Sequence, residues 1–75
     1  MPLKFLRFLN NTFVLFPITI SHSYMSKCIR ESIMSAGYLT FNNEGDAITY
    51  GKSNSLDIES DASDADFFAE YVSQL

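Results

Sequence analysis

The side chains of this chain that could do chemistry are one cysteine, one histidine and nine carboxylates. Cys28 and His22 lie six positions apart, which is about 240° around a helix, so the imidazole cannot act as a base for the thiol. Only Lys27 and Arg30 lie near Cys28 to activate it. We therefore predict that Cys28 is a small buried hydrophobic residue and that His22 opens a helix.

Five of the carboxylates lie close together near the C-terminus. Paired carboxylates can perform acid–base catalysis, but no histidine or lysine accompanies this group. The alternation of Asp57, Glu59 and Asp61 is similar to that of a calcium loop. However, Ala62 stands where that loop needs glycine, and Phe68 stands where it needs a bidentate glutamate. We interpret these acids as a solvated face that compensates a helix dipole.

The string Gly51-Lys52-Ser53 is similar to the end of a phosphate-binding loop, a pattern that also needs a glycine at position 46. Asp46 stands there, and a strand rather than a helix is expected to follow. One cysteine and one histidine cannot supply the usual set of zinc ligands. The sequence therefore predicts no enzyme, no cofactor and no metal site.

Charge is divided along the chain at Glu31. Residues 1–30 carry four basic residues and no acid, whereas residues 31–75 carry all nine acids and only Lys52 as a base. The net charge of −4 disfavours nucleic-acid binding. The acidic half could instead dock on a basic protein surface with electrostatic steering. The carboxylates that we expect to form this surface are Glu44, Asp46, Asp57, Glu59, Asp61, Asp64, Asp66 and Glu70.

A chain of 75 residues forms one small domain of marginal stability. Its apolar content of 47%, with seven Phe and four Tyr, is too high for intrinsic disorder. The predicted fold class is α+β, in a single domain of residues 1–75. An apolar basic leader of residues 1–20 precedes a compact core of residues 21–75, which contains one helix, a three-stranded antiparallel sheet and a C-terminal helix.

The leader has three interpretations. As a secretory signal it would use Lys4 and Arg7 as its charged region, but two asparagines and Pro17 interrupt the apolar part. As a peripheral membrane anchor it would place aromatic rings in lipid, since no stretch reaches the roughly 20 apolar residues of a spanning helix. The favoured interpretation is that it completes the core or packs between the protomers of a homodimer. The side chains expected to make membrane or dimer contacts are Phe5, Phe8, Phe13 and Phe16.

Local signals are clearer after the leader. Ser21 or Ser23 fits a helix N-cap, apolar residues recur at spacings of three and four, and Gly37 fits a C-cap, so a helix is predicted over about 22–36. Tyr38–Phe41 and Ala47–Tyr50 then predict a hairpin, because Gly45 can supply the positive φ of its turn.

Two further elements complete the predicted core. The strict alternation of residues 55–59 predicts a third strand. Ser63-x-x-Asp66 resembles a capping box, and the apolar stripe that follows predicts a helix over about 64–74.

Three strings in the second half of the chain resemble small uncharacterised proteins encoded by tailed phages and prophages. They are Ile33-Met34-Ser35-Ala36-Gly37-Tyr38, then Tyr50-Gly51-Lys52-Ser53-Asn54-Ser55-Leu56, then Ser60 with Asp64-Ala65-Asp66. The resemblance covers residues 33–66, and the leader through Phe16 departs from it. It implies an accessory factor that binds and redirects or inhibits a host or defence protein in the bacterial cytoplasm, and it transfers no functional residue.

We therefore predict a non-enzymatic protein-binding accessory factor that uses the acidic half. The alternatives are a small peripheral membrane protein anchored by the leader and a structural homodimer with the leader between protomers.

Overall fold

The first two strands form from the segment that the sequence predicted as a leader. In the computed structural model, which describes residues 2–75, β1 (Leu3–Phe8) and β2 (Phe13–Phe16) make an antiparallel hairpin. Asn11 has a φ of 63° in the connecting turn, a conformation that asparagine adopts more readily than most residues. Since β1 also pairs with a strand on its other side, the prediction of a leader separate from the core is wrong.

The first helix, α1 (His22–Cys28), begins as predicted, because the Tyr24 N–H donates to the Ser21 hydroxyl at 3.1 Å. It ends well before residue 36, and Ile33–Phe41 is strand β3. The apolar spacing that suggested a longer helix arises because β3 is covered on both faces, so its buried residues do not alternate. Cys28, predicted to be buried, is exposed at the end of the shorter helix.

Gly37 lies inside β3 and is not the predicted helix C-cap. A Cβ atom at this position would lie 2.5 Å from the Tyr50 carbonyl oxygen and 3.2 Å from the Ser60 Cβ. Atoms cannot approach that closely without displacement of the backbone. Glycine is therefore required here by a close approach of chain segments rather than by a turn.

The predicted hairpin is confirmed, with β4 (Ala47–Tyr50) antiparallel to the second half of β3. Gly45 has a φ of 84° in its turn, as expected. The predicted third strand is wrong in length and partner: β5 (Lys52–Ser53) and β6 (Ile58–Glu59) form a separate two-stranded sheet. The main sheet has four antiparallel strands in the order β2-β1-β3-β4, where the sequence predicted three.

The C-terminal helix is confirmed as α2 (Asp64–Ser73). The predicted capping box is wrong, because the Ser63 side chain caps nothing in the helix. Instead, the Ser63 hydroxyl and N–H both donate to Asp61 Oδ1, at 2.6 and 2.9 Å. Asp61 thereby fixes the turn that leads into α2.

Each face of the main sheet carries one apolar cluster, because successive residues of a strand point to opposite faces. α2 covers the cluster of Phe5, Phe13, Leu39 and Phe68. α1 and the β5–β6 turn cover the cluster of Leu6, Phe8, Phe16 and Ala36.

The four phenylalanines of the N-terminal hairpin are at most 6% exposed. In this fold the side chains of Phe5, Phe8, Phe13 and Phe16 are buried in the core, as expected if the segment completes the core. Contact of these rings with lipid or with a second protomer would require the hairpin to leave the sheet. No helix within residues 2–75 is long and apolar enough to cross a membrane.

Candidate protein-binding surface

Arg7, one of the four basic residues of the N-terminal half, is used inside the fold. It lies on β1 and is 7% exposed. Its Nε–H donates to Asp64 Oδ1 at 2.6 Å and lies 3.1 Å from the Ser35 hydroxyl. Another guanidinium nitrogen donates to Asn11 Oδ1 at 2.7 Å, and the Phe67 ring lies 4.7 Å from the guanidinium carbon. This cation is therefore not available to a partner.

Asp64, predicted as part of the acidic surface, is fully buried at the start of α2. Its Oδ1 accepts from the Ser35 hydroxyl at 2.7 Å as well as from Arg7, and its Oδ2 accepts from the Asp61 N–H at 2.6 Å. A buried carboxylate is tolerated only when it is paired and hydrogen-bonded in this way. Asp64 therefore joins β1, β3 and α2, and its assignment to the surface is wrong.

The other seven predicted carboxylates are exposed. They lie on the β3–β4 turn, on the β5–β6 hairpin with its following loop, and on α2, so they are divided between the two faces of the main sheet. We call this set the acidic surface: Glu44, Asp46, Asp57, Glu59, Asp61, Asp66 and Glu70. The Ser63 hydroxyl and then its N–H hold the pKa of Asp61 below its ordinary value, so that carboxylate remains charged in mildly acidic solution.

Few exposed cations accompany the acidic surface. Lys52 Nζ lies 3.6 Å from Asp57 Oδ1, but both side chains are open to solvent, so this pair contributes little. Lys4 is half-buried and donates to the Ile20 carbonyl at 2.8 Å. Lys27 and Arg30 are exposed at the end of α1 and just after it. Lys52 is therefore the one basic residue on the elements that carry the acidic surface.

Apolar side chains on the β3–β4 hairpin adjoin the acids of its turn. Ile48 and Tyr50 are each 43% exposed and share one face of β4. Tyr50 stacks on Tyr38 with ring centroids 5.8 Å apart. Phe41 is half-exposed near the turn. Aromatic and aliphatic residues with a charged rim are typical of protein-binding surfaces.

Two small clefts flank α2. One, of about 260 Å³, separates α2 from the start of β4; its lining includes Phe41, Asp46, Ala47, Ala69 and Val72. The other has a similar volume of about 260 Å³ and separates α2 from the β1–β2 turn, with Asn10, Asn11, Phe67, Glu70 and Tyr71 in its lining. Within residues 2–75, no three His, Cys, Asp or Glu residues are grouped as metal ligands would be.

His22 is the first residue of α1, as predicted, but the sequence did not indicate that it is buried. Its Nε2–H donates to the Gly37 carbonyl at 3.0 Å, which fixes the tautomer. Its ring contacts Phe16 and Tyr38 edge-on, with centroids 5.4 and 5.9 Å away. Burial lowers the pKa of His22; the bond to Gly37 opposes this shift and the charge of Lys4 adds to it.

The buried pair of Arg7 and Asp64 was also missed. The only local signal was a cation between Leu6 and Phe8, in a segment whose neighbours are apolar.

A comparison with protein-family models, with curated proteins and with solved structures finds no match to this chain.

Proposed function

We propose that this protein is a non-enzymatic accessory factor that binds another protein through the acidic surface. The observation that carries the proposal is the division of charge produced by folding. Arg7 is buried against Asp64, while seven carboxylates stay exposed with Lys52 as the one basic residue on the same elements. A surface of this kind attracts a basic partner and speeds the encounter.

The resemblance of residues 33–66 to small phage and prophage proteins supports a particular use. A phage accessory factor acts on a protein of the bacterial host or of its defences, and many such proteins have basic grooves for nucleic acid. We propose that part of the acidic surface occupies such a groove in the bacterial cytoplasm and thereby modulates or inhibits the partner.

The proposal is tested by affinity capture from bacterial lysate, with soluble and membrane fractions kept separate, at low and high salt. The expected result is a stoichiometric soluble partner that is lost at high salt, because exposed charges are screened. Glu59→Lys should weaken capture, since Glu59 belongs to the acidic surface. Glu31→Lys is the matched control, because it makes the same change of charge at an exposed site beside Arg30.

Three results would contradict the proposal. Capture that is insensitive to salt and to Glu59→Lys would show that the acidic surface is not the contact. Recovery only with membranes would favour the peripheral membrane alternative, and a solution mass of two chains with no other partner would favour the homodimer.

A further inference from the structure

One edge of the main sheet is open. β4 is its outermost strand, and the Asn42 N–H donates to the Asp46 carbonyl at 2.9 Å where the hairpin begins. Hydrogen-bonded pairs alternate along an antiparallel hairpin, so the main-chain groups of Ala47 and Thr49 point away from β3. Among residues 2–75, no other element forms a main-chain hydrogen bond with these two residues.

The two edges of the sheet differ in their protection. β2, at the opposite edge, is followed directly by Pro17, which has no N–H and limits strand pairing there. β4 consists of Ala, Ile, Thr and Tyr and contains neither proline nor a charged residue. Three of its four residue types are strong strand formers. β4 therefore lacks the features that usually prevent strand addition.

Both faces beside β4 offer apolar contacts. A strand added to β4 would direct alternate side chains to the two faces of the sheet. On one face they would meet Ile48 and Tyr50. On the other they would enter the cleft between β4 and α2, where Val72 is 46% exposed. The added strand would thus be apolar on both faces in its central part.

Charge specifies one end of the added strand. Glu44 and Asp46 lie immediately before β4, whereas Lys52 lies two positions after it, and all three are exposed. A segment with lysine or arginine at the end that lies beside Glu44 and Asp46 would be attracted there.

We infer that the open edge of β4 pairs with an extended segment of the partner protein that is apolar at its centre and basic at the end beside Glu44 and Asp46. The segment adds a strand to the sheet, so main-chain hydrogen bonds supply affinity and its side chains supply selectivity. This inference rests on the proposed function and names the way in which the acidic surface is used.

The test uses the full chain, labelled with ¹⁵N, and a short synthetic peptide of alternating Val and Thr with Lys-Arg at each end. A second peptide of the same sequence is N-methylated at alternate residues, which removes the N–H groups that would face β4. We expect the first peptide to shift the amide signals of Ala47 and Thr49 and to protect them from hydrogen exchange. The methylated peptide should bind at least about tenfold more weakly, since the strand ladder cannot form.

Two variants add a comparison of the two sheet edges. Ile48→Lys places a positive charge beside the open edge and should weaken peptide binding by about tenfold through like-charge repulsion. Leu15→Lys makes the same change on β2, where Leu15 is similarly exposed at 37%, and should leave binding unchanged. The matched change of net charge separates an effect of the β4 edge from general electrostatics.

Other outcomes overturn the inference in distinguishable ways. If both peptides bind equally at low salt and Ala47 and Thr49 stay unprotected, the edge is not used, although the acidic surface still attracts cations. If neither peptide binds at low salt, the acidic-surface proposal is contradicted together with the inference. If Ala47 and Thr49 become protected at high protein concentration without peptide, the occupant is a second copy of the chain.

Discussion

Arg7 is an unusual residue for the centre of a sheet, because its guanidinium must leave water when the strand is buried. The pair with Asp64 and the hydrogen bonds of Ser35 and Asn11 replace that water. An ion pair of this kind adds little stability beyond that of apolar residues of similar size, but loss of one partner leaves a buried charge without compensation. The cost of such a loss is therefore far larger than the net contribution of the pair.

Asp64→Ala should consequently destabilise the fold by about 3–5 kcal/mol, which is comparable with the whole stability of a domain this small. Urea unfolding followed by far-UV circular dichroism measures the change. Asp66→Ala is the matched control two residues along the same helix, where the side chain is exposed; it should cost less than about 1 kcal/mol. Unchanged unfolding of Asp64→Ala would disprove the role of the buried pair.

His22 gives the fold a dependence on pH. Because burial lowers the pKa of His22 in the folded state, the unfolded chain binds a proton more readily than the folded chain does. The stability that neutral His22 contributes to the fold is fully present above the ordinary pKa of about 6.5. It is lost as the pH falls through the lowered pKa of the folded state.

We therefore predict that the free energy of unfolding decreases when the pH falls below about 6.5, before the ordinary titration range of the carboxylates is reached. His22→Gln should remove most of this slope, since glutamine can still donate to the Gly37 carbonyl but does not titrate. Urea unfolding at a series of pH values measures both chains. An equal slope in the two would show that other groups carry the pH dependence.

At the scale of elements, the N-terminal hairpin is the part of the chain on which the rest is assembled. β1 pairs with β2 on one edge and with β3 on the other, and Phe5 and Leu6 from it are fully buried on opposite faces. Removal of such side chains costs about 2–5 kcal/mol each. The two helices pack on clusters that this strand helps to form.

A chain that begins at Ser21 should therefore fail to fold. It retains α1, β3, β4 and α2 but loses the strand that joins the two apolar clusters. Far-UV circular dichroism and amide dispersion in NMR spectra report the result. If the shortened chain kept a cooperative urea transition, residues 1–20 would be a dispensable leader after all.

The elements that could be predicted are those with complete local signals. Ser21 marks the start of α1, residues 38–50 carry the alternation and turn of a hairpin, and the apolar stripe after Asp64 marks α2. The first half of β3 and the whole of β1 could not be assigned, because strands buried on both faces lose the alternation that identifies a strand. Their identity depends on pairing partners more distant in sequence.

The same limit applies to the candidate surface. Exposure was predicted well for most carboxylates, because charged groups remain in water unless they are paired. Asp64 is the exception, and its partner Arg7 lies 57 positions away. No local pattern connects two such residues. The open edge of β4 also needed the strand order, which the sequence did not determine.

For the whole molecule, the exposed carboxylates have a cost in stability. The net charge is −4, and the fold pairs Arg7 with a buried acid rather than with the acidic surface, so like charges repel across the exterior. Salt screens such repulsion over a distance of about 8–10 Å at physiological strength. The exposed carboxylates that are proposed to attract a partner therefore also lower the stability of the fold.

Addition of sodium chloride from low to physiological ionic strength should accordingly raise the free energy of unfolding, by about 1 kcal/mol or less for screened surface charges. A variant with Glu44→Gln, Glu59→Gln and Glu70→Gln should be more stable at low salt and should respond less to added salt. Urea unfolding at several salt concentrations tests both statements. A decrease of stability with salt would mean that exposed attractive pairs outweigh the repulsion.

The bond between Arg7 and Asp64 also has a consequence for the order in which the protein can form during synthesis. A ribosome releases β1 before α2, and the carboxylate that neutralises the Arg7 guanidinium follows 57 residues later. Until α2 emerges, burial of β1 would leave the Arg7 guanidinium unpaired in the core. Burial of Arg7 in its final environment is therefore completed only after α2 has left the ribosome.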